Sequence, residues 1–308
     1  MSQRAGTPDS IPPAGSTRPP AGSAGAAAPG ELAPADAETL LARLRARLER
    51  EDRLLVAFSG GVDSALLAAA ASSVLGDRAV AVTAVSPSLP GHERRAARSF
   101  ARRHGIRHLQ LHTDELDRPE YVRNGGDRCF HCKSALFDAL QPVAELTGSR
   151  IALGTNLDDL GDYRPGQRAA RARGAVFPLV DAGLGKDAVR AVSRLLRLEA
   201  ADKPAAACLS SRVAYGDPVT AEVLGRIERA EAALRRRGFT ECRVRSHANG
   251  SVARLEIPAE RIPDVHPVRE AIVAEVRAAG FAFVALDLAG FRSGSMNVLL
   301  PAPQRRAS

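Results

Sequence analysis

An apolar run, Leu54-Leu55-Val56-Ala57-Phe58, leads straight into Ser59-Gly60-Gly61-Val62-Asp63-Ser64, and an Ala/Leu-rich segment follows. That order reads as a buried strand, a tight glycine turn and the start of a helix. Glycines let backbone amides point inward, and a helix N-terminus adds partial positive charge, so such a turn can hold a phosphate. It is not a G-x-x-x-x-G-K-[ST] loop, because the lysine is missing. A second group suited to chemistry is Ala207-Cys208-Leu209-Ser210-Ser211-Arg212. Small polar neighbours and the guanidinium of Arg212 favour a thiolate at Cys208, whereas the common fate of a free cysteine is inert burial.

Three further groups are candidates. Cys129-Phe130-His131-Cys132 is a C-x-x-C without a second ligand pair at zinc spacing; it reads as helix-start cysteines in a substrate-facing loop, with an iron–sulfur cluster on Cys129, Cys132 and Cys208 as the alternative. In Glu241-Cys242-Arg243-Val244-Arg245 the period of two sends Arg243 and Arg245 to one face. Arg254 and Glu256 of the next strand share that face, across a turn at Asn249-Gly250. Such a face is either a solvated sheet surface or a grip for phosphate. Asp158, Asp159 and Asp162 follow an apolar strand, where they suit either the magnesium that accompanies ATP or a helix cap.

The elements that would position these residues follow from periodicity. Helices are expected at 36–50, 64–75, 91–104 and 132–147, and strands at 54–58, 79–85, 108–112 and 151–153. Their alternation predicts an α/β fold, a doubly wound parallel sheet with ligands beyond the carboxyl ends of its strands. Interrupted periodicity in 198–218 marks a boundary. Beyond it, helix 219–237, strands 240–246 and 251–257, helix 264–279 and strand 281–288 predict a smaller α+β module. The expected organisation is a disordered tail over 1–35, a nucleotide domain over 36–205, a substrate and oligomerisation domain over 206–300, and a tail over 301–308.

Composition narrows the classes. The 308 residues can bury a sizeable core, and four cysteines suit a reducing cytoplasm rather than a disulfide scaffold. No apolar run is long enough to span a membrane, and the Ala/Pro/Gly/Ser-rich start has no signal-peptide core. The net charge of +8 points weakly to nucleic acid, since aromatics are 4% and Trp is absent. Arginine supplies nearly all the positive charge, as in GC-rich codon usage; the lysines are Lys133, Lys186 and Lys203, each near a segment singled out on other grounds.

SGGVDS resembles the pyrophosphate (PP) loop of the ATP pyrophosphatases, which split ATP between the α and β phosphates. The ordered set SGGVDS, RCFHCK, GTNLDDLGDYRPG, PAAACLSSR, RVRSH, ARLEI and GFRSGSMN resembles the LarE family, ATP-dependent sacrificial sulfur transferases of nickel-pincer (lactate racemase) cofactor synthesis, over residues 36 to 300. The resemblance implies a PP-loop domain like the adenine nucleotide alpha hydrolases, a smaller C-terminal domain, and a homo-oligomer, often a hexamer. It implies ATP and Mg2+, a pyridinium mononucleotide substrate, and no nucleic-acid or membrane partner. Its activity is adenylylation of a substrate carboxylate, attack by a cysteine, and C–S cleavage that leaves a thiocarboxylate and dehydroalanine.

On that resemblance Cys208 matches the sacrificial cysteine, and Arg243 and Arg245 match the phosphate-gripping pair. Glu256, Asp264 and Glu231 fall at acidic site positions, and Arg212 joins the substrate set. Ser59, Gly60, Gly61, Asp63 and Ser64 would bind ATP, Asp159 would hold Mg2+, and Glu256 is a candidate for the base that takes the Cys208 Cα proton. Glu256 and the serines after Cys208 favour sacrifice over the cluster-dependent chemistry of some relatives, which needs three site cysteines. Rival readings are an amidating synthetase like NAD or GMP synthetase, a tRNA thiolase, or a non-catalytic nucleotide-binding module.

Overall fold

The computed structural model describes residues 33–161, 170–204, 207–292 and 294–299. The tails expected at 1–35 and 301–308 lie outside these residues except for 33–35, and Asp162 also lies outside them.

After helix α1 (Pro34–Leu48), strand β1 (Leu54–Ala57) leads into helix α2 (Val62–Leu75). There follow β2 (Ala79–Val85), α3 (Gly91–Arg103), β3 (His108–His112), the short α4 (Pro119–Val122), α5 (Arg128–Thr147) and β4 (Arg150–Leu153). The four strands form one sheet in the order β3-β2-β1-β4, every neighbour parallel, with Leu54 opposite both Ala79 and Arg150. This is the expected doubly wound α/β arrangement. Strand order reverses between β1 and β4, so the crevice for a ligand opens beyond the ends of those two strands.

The alternation within each strand explains the two layers. Leu54, Val56, Ala81 and Ala152 face a core shared with α1, α2 and α3. Leu55, Val82, Ile151 and Leu153 face the other way, onto Phe137, Leu140 and Ala144 of α5. Strands buried on both faces are near-continuously apolar, which is why they were readable as short runs.

Helices α6 (Pro178–Asp181) and α7 (Lys186–Leu195) complete this half, and α7 joins the core of α1 and α2. Beyond them come α8 (Ala221–Arg236), β5 (Arg243–His247), β6 (Val252–Glu256), α9 (Arg269–Ala278) and β7 (Phe283–Leu286). The small sheet has the order β5-β6-β7, with β5 antiparallel and β7 parallel to β6. Val244, Ala253 and Leu255 pack with Leu224, Ile227 and Leu234 of α8 and with Val276 of α9. Tyr121, Leu209 and the half-buried Cys132 belong to the same cluster, so α4 and the start of α5 lean on the second core.

Several boundaries differ from expectation, and three of them bear on the site. α2 and α5 begin at residues 62 and 128 rather than 64 and 132, so Asp63 and Cys129 sit in first turns and Cys132 opens the second turn of α5. The helix expected at 264–279 starts at Arg269; Ala259–Val268 winds as a 3-10 helix instead. Pro263 and Pro267 explain the shift, because each removes an N–H and disfavours α geometry in the residue before it. Among the described residues no helix is long and apolar enough to cross a membrane.

Candidate functional site

The glycine turn is closed by its own serines. The Ser59 amide donates to Ser64 Oγ at 3.2 Å, the Gly61 amide donates to Ser59 Oγ at 3.3 Å, and Ser64 Oγ donates to the Gly61 carbonyl at 3.1 Å. Gly60 has φ +77°, a conformation L side chains rarely adopt. Gly154, after β4, lies against the start of α2: a Cβ there would meet Ser64 N at 2.8 Å and Ser64 Cα at 2.9 Å. The two strand ends are thereby pressed together. Asn156 then reaches across, its Nδ2 donating to Asp63 Oδ1 at 2.8 Å. Beyond the strand ends opens a cavity of about 320 Å3, lined by Ser59, Gly61, Asp63, Ser64, Lys133 and Thr155 among others.

Two lysines flank this turn. Lys133 lines the cavity from α5, and Lys203 Nζ donates to the Gly60 carbonyl at 3.0 Å while pairing with Glu93 of α3. Neither was among the expected site residues; their rarity in an arginine-rich chain was the available signal.

Asp158 and Asp159, which follow β4, each accept from a backbone amide. Asp159 Oδ2 accepts from the Asn156 amide at 3.2 Å, and Asp158 Oδ2 accepts from the Lys186 amide at the start of α7. That is the capping geometry left open for them by their spacing. Among the described residues no group of three His, Cys, Asp or Glu side chains is placed to hold a metal ion. Magnesium that travels with a nucleotide needs only one or two protein carboxylates beside the phosphates; Asp63 stands in the cavity wall, and Asp159 follows β4.

Cys208 caps a 3-10 turn, Leu209–Arg212, and its side chain is exposed. The loop beneath it is pinned from several sides. The Leu209 amide donates to the Ser88 carbonyl at 2.8 Å, and the hydroxyls of Ser88, Tyr121 and Ser210 form a buried triangle with edges of 2.5–2.9 Å. Burial foremost pushes the Tyr121 phenol upward, so it stays neutral. Burial also pushes the Cys132 thiol up to about 12, with the charge of Cys208 the next cause.

Arg212 is held against the backbone of the Cys208 loop. Its Nη1 donates to the carbonyls of Ala207 at 2.6 Å and Cys208 at 3.0 Å, and its Nε to Glu231 Oε1 at 2.9 Å. It fixes the loop backbone, with its charge compensated by Glu231.

The arginine face of the small sheet is not a solvated surface, which corrects one of the two readings its alternation allowed. Arg245 is 2% exposed and Glu256 0%, with Nη2–Oε2 2.8 Å and Nε–Oε2 2.9 Å. Arg245 Nη1 also donates to the Ser211 carbonyl at 2.9 Å, tying the Cys208 loop to β5. Glu256 Oε1 accepts from Ser295 at 2.6 Å and pairs with Arg254 at 2.9 Å, and Arg254 also pairs with Asp287. With both oxygens engaged, Glu256 is a counter-ion and is poorly placed to act as a base. Glu231, fully buried on α8, joins Arg212 and Arg235.

Arg243 is different. Among the described residues it has no carboxylate partner; its guanidinium lies over the Phe291 ring, 4.4 Å from the centroid. Burial first, then the charges of Arg212 and Arg245, lower its pKa to about 10. A half-buried cation crowded by two others is a site for an anion. The structure thus brings together Cys208, Arg212, Glu231, Arg243, Arg245 and Glu256. It does not include Asp264, which is exposed on the 3-10 helix and paired with Arg261 at 2.5 Å.

Residues 37–124 match the family model for asparagine synthase. An uncharacterized protein of Synechocystis is 46% identical over 268 residues, covering 85% of this chain and 98% of that protein. An uncharacterized protein of Methanocaldococcus jannaschii is 26% identical over 245 residues, covering 79% and 92%. The pyridinium-3,5-bisthiocarboxylic acid mononucleotide synthase of Lactiplantibacillus plantarum is 36% identical over 268 residues, covering 86% of this chain and 96% of that enzyme. With that identity across nearly the full length of both, the chain belongs to the LarE family.

Proposed function

We propose that this protein is an ATP-dependent sulfur transferase that converts a carboxylate of a pyridinium mononucleotide into a thiocarboxylate, with Cys208 as the sulfur donor. One observation carries the reading: an exposed cysteine beside a hydrogen-bonded turn, tied through Ser211 to the sheet that bears Arg243, which has no carboxylate partner among the described residues. The characterised relative is named for a bisthiocarboxylic product, which is the chemistry such a thiol would perform.

On this reading ATP binds in the cavity beyond β1 and β4, its phosphates over Ser59, Gly60, Gly61 and Ser64, with Asp63 and the weaker candidate Asp159 beside the magnesium. Magnesium supplies charge neutralisation on the phosphates. The substrate carboxylate becomes an acyl-adenylate, with pyrophosphate leaving. The Cys208 thiolate then displaces AMP, which is a good leaving group. Loss of the Cys208 Cα proton drives C–S cleavage, so sulfur stays on the substrate and residue 208 becomes dehydroalanine. Turn amides and arginines stabilise the charge that builds on phosphate and carbonyl oxygens. Arg243 receives the substrate phosphate, and Arg245, the other arginine of the expected pair, backs it from the same strand while held by Glu256, Ser211 and Ser295. The expected domains, 36–205 for ATP and 206–300 for substrate, divide this work. The exposed Phe283 of edge strand β7 and the exposed Leu288 support a homo-oligomer.

The test is intact mass before and after reaction with ATP and substrate. The protein should lose the mass of hydrogen sulfide once per product, with dehydroalanine mapped to position 208. Many turnovers with Cys208 intact would overturn the sacrificial step.

A further inference from the structure

Lys203 approaches the glycine turn from the side of α3. A Cβ built on Gly60 would meet Ala97 Cβ of α3 at 3.4 Å and Lys203 Nζ at 3.8 Å, so the helix and the lysine together back that residue. Nζ donates to the Gly60 carbonyl at 3.0 Å and pairs with Glu93, in the first turn of α3. The backbone behind the side chain is anchored. The Lys203 amide donates to the Ala200 carbonyl at 3.1 Å, and Arg190 of α7 donates to the Ala201 carbonyl at 2.8 Å. Ala200 and Ala201 are both buried.

The peptide that joins Gly60 to Gly61 is trans and planar, so the Gly61 N–H points opposite to the Gly60 C=O. With the carbonyl drawn towards Lys203, the amide is turned away from it, and Gly61 lines the nucleotide cavity. The amide donates to Ser59 Oγ at 3.3 Å, beyond the usual N–H···O range, so it is weakly held and free to be given up to an anion. Glycine on both sides offers no Cβ to resist rotation of this peptide. Turned over, it would present a carbonyl oxygen to a phosphate and repel it.

We propose that Lys203 is a positioning residue for the nucleotide: by holding the Gly60 carbonyl on the α3 side, it keeps the Gly61 N–H directed at the pyrophosphate portion of ATP. Acting from outside the loop and through its backbone, it supplies part of what the lysine of a G-x-x-x-x-G-K-[ST] loop supplies directly. Glu93 offsets its charge, so the pair adds no net charge beside the turn. Resting as it does on the glycine turn being the ATP site, this role is independent of what Cys208 does.

A charge-neutral double change in the full chain, Lys203→Met with Glu93→Gln, tests it. One positive and one negative charge go together, so net charge is unaltered while the Gly60 carbonyl loses its donor. Calorimetric titration with ATP, pyrophosphate and AMP, without substrate, reads the outcome. ATP and pyrophosphate should bind about tenfold more weakly, as for loss of one charge-assisted hydrogen bond. AMP, which lacks the pyrophosphate portion, should bind as before. Unchanged ATP binding would overturn the proposal, and equal weakening of AMP would mean that the lysine only braces the fold. Should the double variant melt early, amide exchange across residues 59–64 of the unaltered chain is the second test. Pyrophosphate should slow exchange there and AMP should not; equal protection by both, or none by pyrophosphate, would overturn the proposal. An unaltered chain that takes up neither ATP nor pyrophosphate would overturn the ATP-site reading as well. One that binds both, with binding indifferent to Lys203, would overturn this role alone.

Discussion

The glycine turn and the arginine–glutamate cluster reach charge recognition by opposite routes. The turn uses contiguous residues, 59–64, and presents backbone amides whose orientation is set by Gly60 and by two serine hydroxyls. The cluster draws on residues from 212 to 295 and presents side-chain cations, most of them already neutralised by buried carboxylates. A backbone site costs little when one side chain is lost. A network of buried ion pairs fails when one partner is removed, because the other is left charged and unsolvated. The two regions should therefore separate stability from function in opposite ways.

The largest loss of stability should come from Glu256→Ala, which strands Arg245 at 2% exposure. Breaking a buried pair from one side costs about 3–5 kcal/mol, to be read from urea unfolding. Replacing both partners, Arg245→Met with Glu256→Leu, should recover much of that loss, since the desolvation of both charges disappears together. A cost below about 1 kcal/mol for the single change would place the cluster with ordinary surface pairs.

Gly154→Ala comes next and tests the turn where it is least tolerant. The added methyl would meet backbone, Ser64 N at 2.8 Å and the Asp63 carbonyl carbon at 3.0 Å, and neither can rotate away. Overpacking of this kind costs about 1–3 kcal/mol. Because the displaced element is the start of α2, the rise in melting temperature on adding ATP should shrink as well. An unchanged ATP-induced rise would separate the strand-end contact from nucleotide binding.

These contrasts also explain what could be read in advance. Ala79–Val85 was legible to the residue because a short apolar run between turn residues has few alternatives, and His108–His112 because its two leucines alternate with polar residues. The turn was legible because all its parts are adjacent in sequence. Alternation placed Arg243, Arg245, Arg254 and Glu256 on one face, but it is silent on what covers that face. The cover comes from the Cys208 loop and Ser295, which only folding brings there. The position of Lys203 on Gly60 joins residues 143 apart in sequence.

Asp63→Ala is the milder test of the turn. It removes one hydrogen bond, from Asn156, so the fold should lose only about 1 kcal/mol. Pyrophosphate release should nevertheless stop, because Asp63 is the acidic side chain in the cavity wall beside the turn. Measured together, a near-normal melting curve with normal pyrophosphate release would remove Asp63 from the ATP site.

Arg243→Ala should have the smallest effect on stability and makes the comparison sharpest, because Arg243 sits in the cluster yet should behave like a residue of the turn. Among the described residues it lacks the carboxylate that Arg212, Arg245 and Arg254 each have. Its removal forfeits a cation–π contact with Phe291, worth about 0.5–1 kcal/mol at a partly exposed site. It also relieves the repulsion from Arg212 and Arg245 and the burial penalty that lower its pKa to about 10. Those contributions oppose one another, so folding stability should change by less than about 0.5 kcal/mol, as for a surface substitution. Substrate binding should not be spared. A charge-assisted bond to phosphate is worth about 1.5–3 kcal/mol, so KM for the mononucleotide should rise roughly tenfold or more. KM for ATP should stay put, because the nucleotide cavity is lined by residues of the other sheet. Equal rises in both constants would mean that Arg243 acts through the fold, and no rise in either would leave it a cation without an anion.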